Sequence, residues 1–213
     1  MSNASSTKAQ NSAPDGVATR ERIVEAASTM FNQRGFDAVP MSQVAEAAGV
    51  STPALYWHFK SKEDLYFEVI DRTYRGFFDQ LVENTVGETA RERLHSYVRC
   101  FVELQLRDRE ATMMFGIGQL GARLSEEKQL EFAKLQRPYS DLLRGILQTG
   151  HEAGEFEIED PTVLALVIHT MCEYSAVWFM PNRRLSATQV ADIHADLVVR
   201  MAVPPPAGDR HGT

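Results

Sequence analysis

From Ser42 to Lys62 the chain reads SQVAEAAGVSTPALYWHFKSK, and this stretch leaves few alternatives for what can be built around it. Val44, Ala45, Ala47 and Ala48 are small apolar residues at helical spacing, a surface that lets a second helix approach closely. Gly49 follows where a helix must stop and the chain reverse, a position that often requires positive φ. Val50 is an apolar plug after the turn. Ser51 or Thr52 then caps a further helix, with Pro53 in its first turn, where a missing N–H costs nothing. A short helix, a glycine turn and a second short helix make a helix-turn-helix.

The second helix divides by face. Leu55 and Phe59, four residues apart, point inward, which leaves Thr52, Ala54, Tyr56, Trp57 and His58 outside. A tyrosine, a tryptophan and a histidine exposed together call for a partner. Ser61 opens a third helix through Ser61-x-x-Asp64, whose N-terminus and Lys62 offer N–H groups and charge to a phosphate. Hydroxyl, aromatic and basic groups beside a helix sized for a major groove point to double-stranded DNA as the partner.

These residues carry a family resemblance. Thr52-x-x-Leu55-Tyr56-x-His58-Phe59-x-x-Lys62, preceded by Val44-Ala45-x-x-Ala48-Gly49-Val50-Ser51, resembles the DNA-binding signature of the TetR family of transcriptional repressors over about Thr19 to Tyr66. The resemblance implies that Thr52, Pro53, Ala54 and Trp57 approach base edges and that Tyr56, His58 and Lys62 hold phosphates. Ser42 and Ser51, at the two helix starts, complete the candidate DNA-binding set. The chain departs from the family at Pro40, where a Thr or Ser cap is usual; Ser42, two residues on, is the candidate substitute for that cap's backbone contact.

Charge alone argues the other way. The 213 residues carry a net charge of −7, and residues 19 to 65 hold five Lys/Arg against six Asp/Glu. Affinity for DNA would then rest on a local cluster and on helix N-termini, and fall steeply with salt. The absence of any run of about eighteen apolar residues excludes a membrane-spanning helix. Cys100 and Cys172, without CxxC spacing, read as reduced, buried thiols of a cytoplasmic protein.

In chain order, residues 1–17 read as a disordered arm, 18–66 as the helix-turn-helix domain, 67–203 as a larger helical domain and 204–213 as a loose tail. Helix 1 is expected from Arg20 to Arg34 with Thr19 as its cap. The helix from Lys62 runs on through Tyr66, Val69, Ile70 and Phe77 towards Val82, longer than a DNA-binding unit needs, and so joins the two domains. Helical stripes follow at Leu94, Tyr97, Phe101 and Leu104, at 110–124, and at 126–150 around Pro138. Residues 161–179 are apolar nearly all round. A last helix, capped by Ser186, bears Val190, Ile193, Leu197 and Met201. No segment alternates like a strand, so the fold class is all-α.

Gly116-Ile117-Gly118-Gln119-Leu120-Gly121 matches GxGxxG, but no strand precedes it and no βαβ unit surrounds it, so it reads as a break between helices and no nucleotide cofactor is expected. The six histidines show no metal-ligand spacing and no catalytic set is evident. Phe101, Met113, Met114, Phe115, His169, Tyr174 and Trp178 supply either plain core or the wall of an apolar cavity with a few polar groups.

The TetR resemblance favours the cavity, because C-terminal domains of that family sense ligands. It also implies a homodimer in which the last two helices pair with those of a second subunit; Val190, Ile193, Leu197 and Met201 are the candidate interface, the alternative being that they complete the monomer core. Trp178-Phe179-x-Pro181 with Leu185-Ser186, and Gly150-x-x-x-Gly154-x-Phe156 before it, resemble a branch answering to fatty-acyl or sterol-derived CoA thioesters. Arg107, Arg109, Arg123, Lys134 and Arg137 are then candidates for its phosphates. The expectation is a dimeric repressor that binds a pseudo-palindromic operator and is released by a small apolar or acyl-CoA effector. The alternative is a helical ligand-binding or enzymatic protein whose N-terminal motif is only an interaction surface.

Overall fold

The computed structural model of the protein describes residues 13–107, 124–181 and 184–203, and every regular element among them is helical. In chain order these are α1 (Ala13–Arg34), α2 (Met41–Ala47), α3 (Thr52–His58), α4 (Lys62–Asn84), α5 (Ala90–Arg107), α6 (Glu126–Glu152), α7 (Pro161–Trp178) and α8 (Ala187–Ala202). The chain divides into two compact units between Val69 and Ile70, a point inside α4. Arm residues 1–12, tail residues 204–213, Gly116–Gly121 and residues 110–123 of the expected stripe lie outside the described residues.

α1 begins at Ala13 and not at Arg20, so residues 13–17 are helical although their composition reads as a loose arm. Pro14 falls in the first turn, the one place in a helix that tolerates it. In the N-terminal unit Ile23, Ala27 and Phe31 of α1 are fully buried with Val44 of α2, Leu55 of α3 and Leu65 of α4. Phe31, Phe36 and Tyr66 meet as an aromatic trio with centroids 4.5 to 5.7 Å apart. Arg20 closes the unit with a bidentate pair to Glu68 at 2.6 and 2.7 Å, its guanidinium 4.9 Å from the Phe59 ring centre.

The C-terminal unit is built around α5, which packs most extensively along α8 and also against α6 and α7. Leu94, Tyr97, Val98, Leu143, Leu147, Ile168 and Cys172 are buried at its centre. Caps fix the helix starts: the Ser125 hydroxyl accepts from Lys128 N, Asp160 accepts from Thr162 N and Val163 N, and Ser186 and Gln189 form a capping box. The α5 N-terminus is capped from far along the chain, its Ala90 and Arg91 N–H groups donating to the Glu155 carboxylate at 3.1 and 3.0 Å. α6 runs past Gly150, the expected end, to Glu152, and Gly154 follows it. Gly154 takes φ 73°, and Phe156 folds back so that its ring covers the Gly150 backbone.

Candidate nucleic-acid interface and cavity

In the N-terminal unit the turn forms as its glycine predicts: Gly49 has φ 68°, and Val50 N donates to Ala45 O at 2.9 Å. Ser51 is the cap of α3, its hydroxyl accepting from Ala54 N at 3.3 Å. Pro40 stands at the N-cap of α2 with no side-chain cap, so Ser42, one residue inside the helix, does not replace the missing Thr or Ser as a cap. Its side chain is exposed.

Leu55 and Phe59 are buried, and the opposite face of α3 is open. Trp57 is 88% exposed and Tyr56 about half, with Ser51 and Pro53 exposed and Thr52, Ala54 and His58 partly so. The candidate residues of α3 and its cap are therefore brought to one surface. Lys62 is tied down more than its sequence position suggests. Its Nζ donates to Asp37 O at 3.3 Å and lies 4.5 Å from the Phe36 ring centre. Burial lowers its pKa, partly offset by the Asp37 charge, so any phosphate contact from Lys62 would come from an ammonium already held in place.

The C-terminal unit encloses a cavity of about 470 Å³, within the range of small-molecule sites. Arg72, Thr73, Tyr74, Gly76, Phe77 and Gln80 of α4 form one wall, and Phe101, Leu104, Gln105 and Arg107 of α5 another. Gln136, Tyr139 and Ser140 come from α6, and Leu166, His169, Thr170 and Glu173 from α7. Phe101 stacks on His169 at 5.5 Å and meets Phe77 edge-on at 5.2 Å. The Tyr97 hydroxyl lies 2.6 Å from His169 Nε2, and the Tyr139 hydroxyl donates to the Tyr74 carbonyl. Burial lowers the His169 pKa to about 4, so the ring is neutral near pH 7, and burial raises that of Glu173. Arg107 donates to Gln80 Oε1 at 2.9 Å beside the same space.

Of the expected ligand residues, Phe101 and His169 line this cavity. Tyr174 and Trp178 do not: both are half-exposed on α7, and Trp178 stacks on His194 of α8 at 5.8 Å. A helix apolar all round gives no sequence signal for which apolar side faces the cavity. Met113, Met114, Phe115, Arg109 and Arg123 lie outside the described residues, while Lys134 and Arg137 are exposed on α6 and absent from the lining. Sequence reasoning missed the whole α4 wall, Tyr139 and Glu173. One signal was available, since Glu173 is the single charged residue among the 18 of α7.

The last helix also differs from expectation. Val190 is 2% exposed and belongs to the monomer core, with Ala191, His194, Ala195, Val198 and Ala202 facing inward. Ile193, Leu197 and Met201, 44 to 48% exposed, form a separate outer stripe at four-residue spacing, and Val163, Val167 and Tyr174 are exposed on α7. The buried face is the one that carries Ala191, His194, Ala195 and Val198, because small alanines let α8 lie close against α5.

Residues 23–69 match the family described as bacterial regulatory proteins, tetR family, and residues 87–202 match the tetracyclin repressor-like C-terminal domain. The chain belongs to the TetR family. It is 28% identical over 198 residues to the HTH-type transcriptional repressor KstR2 of Mycolicibacterium smegmatis, covering 90% of this chain and 94% of that one. It is 24% identical over 182 residues to the fatty acid metabolism regulator protein of Bacillus subtilis, covering 84% and 92%. Among solved structures it resembles AibR in complex with isovaleryl coenzyme A and operator DNA, with TM-score 0.70, 26% identity, and coverage of 88% of this chain and 99% of that one. This TetR-family chain is thus a transcriptional regulator with an N-terminal helix-turn-helix and a helical C-terminal domain. Among the described residues no helix is long and apolar enough to cross a membrane.

Proposed function

We propose that the protein is a dimeric repressor that holds a pseudo-palindromic operator and releases it when a small apolar effector, an acyl-CoA thioester in the first instance, enters the cavity. The observation that carries this reading is the cavity itself, whose α4 wall, Arg72 to Gln80, continues the helix that starts at Lys62 in the helix-turn-helix unit. Two copies of α3 would enter successive major grooves about 34 Å apart, with Thr52, Pro53, Ala54 and Trp57 towards bases and Ser42, Ser51, Tyr56, His58 and Lys62 towards phosphates. Ile193, Leu197 and Met201 would join the exposed side of α7 as the two-fold interface. A single α3 reads only a short half-site, which gives dimerisation its purpose.

Phe101 and His169 would meet the acyl group, and Arg107 is placed to meet a phosphate or the polar head. Likeness to an isovaleryl coenzyme A complex supports this effector class. The protein acts in the cytoplasm, as a regulator and not as an enzyme. A displacement titration tests the reading. Octanoyl-CoA added to a preformed complex with selected operator DNA releases the DNA, whereas free CoA at equal concentration does not. Retention of DNA at saturating thioester would refute the effector class.

A further inference from the structure

His169 and Glu173 stand four residues apart on α7, which makes their side chains neighbours on one face, and both line the cavity. The short contact from the fully buried Tyr97 hydroxyl to His169 Nε2, 2.6 Å, is better than that hydroxyl's other approach, 3.4 Å to the Tyr139 carbonyl. Assigning the Tyr97 proton to the short contact makes Nε2 the acceptor, so the neutral ring carries its own proton on Nδ1 and donates from there. His169 makes no other hydrogen bond among the described residues. The Glu173 carboxyl makes neither a hydrogen bond nor an ion pair there, although burial opposes its ionisation. A donor and an acceptor one helical turn apart, in a cavity where the rings of Phe77, Phe101 and Tyr139 stand among polar side chains such as Gln80 and Thr170, fit a group that both accepts and donates.

We propose that the effector carries a hydroxyl on the part that enters the cavity, its O–H donating to Glu173 and its oxygen accepting from His169. Hydroxylated acyl groups are then preferred to their saturated parents. A saturated chain would strip water from both side chains and leave them unpaired, which is the arrangement that rejects a ligand lacking the hydroxyl. The inference takes the acyl thioester of the preceding section as the remainder of the ligand, but the hydroxyl rests on His169 and Glu173 alone.

Calorimetric titration of the full-length protein tests it with matched probes: octanoyl, 3-hydroxyoctanoyl and 8-hydroxyoctanoyl groups, each as the CoA thioester and as the free acid, with octylamine alongside. One hydroxylated member is expected to bind about tenfold or more tighter than its saturated parent. Glu173→Leu and His169→Phe should each bring that ratio to within about threefold. Discrimination among free acids with no thioester binding would support the hydroxyl and reject the thioester. Equal affinity for saturated and hydroxylated members in both forms would overturn the inference, as would failure of every hydroxylated probe to bind. Tighter binding of octylamine than of any hydroxylated probe would overturn it in favour of a cation at Glu173.

Discussion

A Cβ placed on Gly150 would lie 2.2 Å from Cδ2 of Phe156 and 2.9 Å from the Ala90 Cβ, contacts that real side chains do not make. Gly150→Ala should therefore destabilise the C-terminal unit by about 1–3 kcal/mol, the usual cost of overpacking; an unchanged urea midpoint would contradict the packing described. His169 predicts a pH effect. Its ring titrates near 6.5 when unfolded and near 4 when folded, so between these values the unfolded chain binds more protons and stability falls as pH falls. By pH 5 this loss is on the order of 2 kcal/mol. Glu173, its pKa raised by burial, acts in the opposite sense, its contribution fading as pH rises. The drop in urea midpoint from pH 7 to 5 should accordingly be smaller in His169→Phe than in the wild type. At this scale the sequence was legible where one residue type answers one local demand, as with Gly49, Ser51, Leu55 and Phe59. It was not legible where a residue's partner is distant in the chain: Asp37 holding Lys62, Tyr97 beside His169, and Glu155 capping α5.

The two faces of α8 make a prediction that belongs to the element. Ile193→Asp combined with Leu197→Asp should convert the dimer to a folded monomer in sedimentation velocity, with helicity retained, because both positions are outside the core. Val190→Asp should instead abolish cooperative unfolding, since it places a charge in the buried interior without a partner. A dimer that survives the double substitution would move the interface elsewhere. Helical periodicity located α8 and its candidate interface stripe but not the burial of Val190 within that stripe, since the alanines of the inner face carry little hydrophobic signal. The start of α1 was misjudged for a related reason: Ala13 to Val17 lack an apolar stripe, yet they extend a helix already nucleated by the packing of Ile23, Ala27 and Phe31. α7 shows the reverse case. Its apolar circumference was plain, and only the fold separates the side at the cavity, with His169 and Glu173, from the side left exposed.

At the scale of the whole molecule, α4 is one continuous helix whose first turns belong to the DNA-reading unit and whose remainder walls the cavity. An effector favouring a different setting of that wall would bias where the two copies of α3 lie, without touching DNA itself. Crystals of the operator-bound and effector-bound protein should then differ in the separation of their two α3 helices. With a net charge of −7, affinity for DNA is expected to rest on a few local contacts around α3. Fluorescence anisotropy against DNA selected from a random pool, over a salt series, with wild type beside Tyr56→Ala combined with His58→Ala, tests this most directly. The account predicts tight wild-type binding that weakens steeply with salt. The double variant should bind more weakly to every sequence, with a salt slope smaller by about 1–2. Failure of the wild type to select any DNA, or identical binding by the double variant, would contradict it.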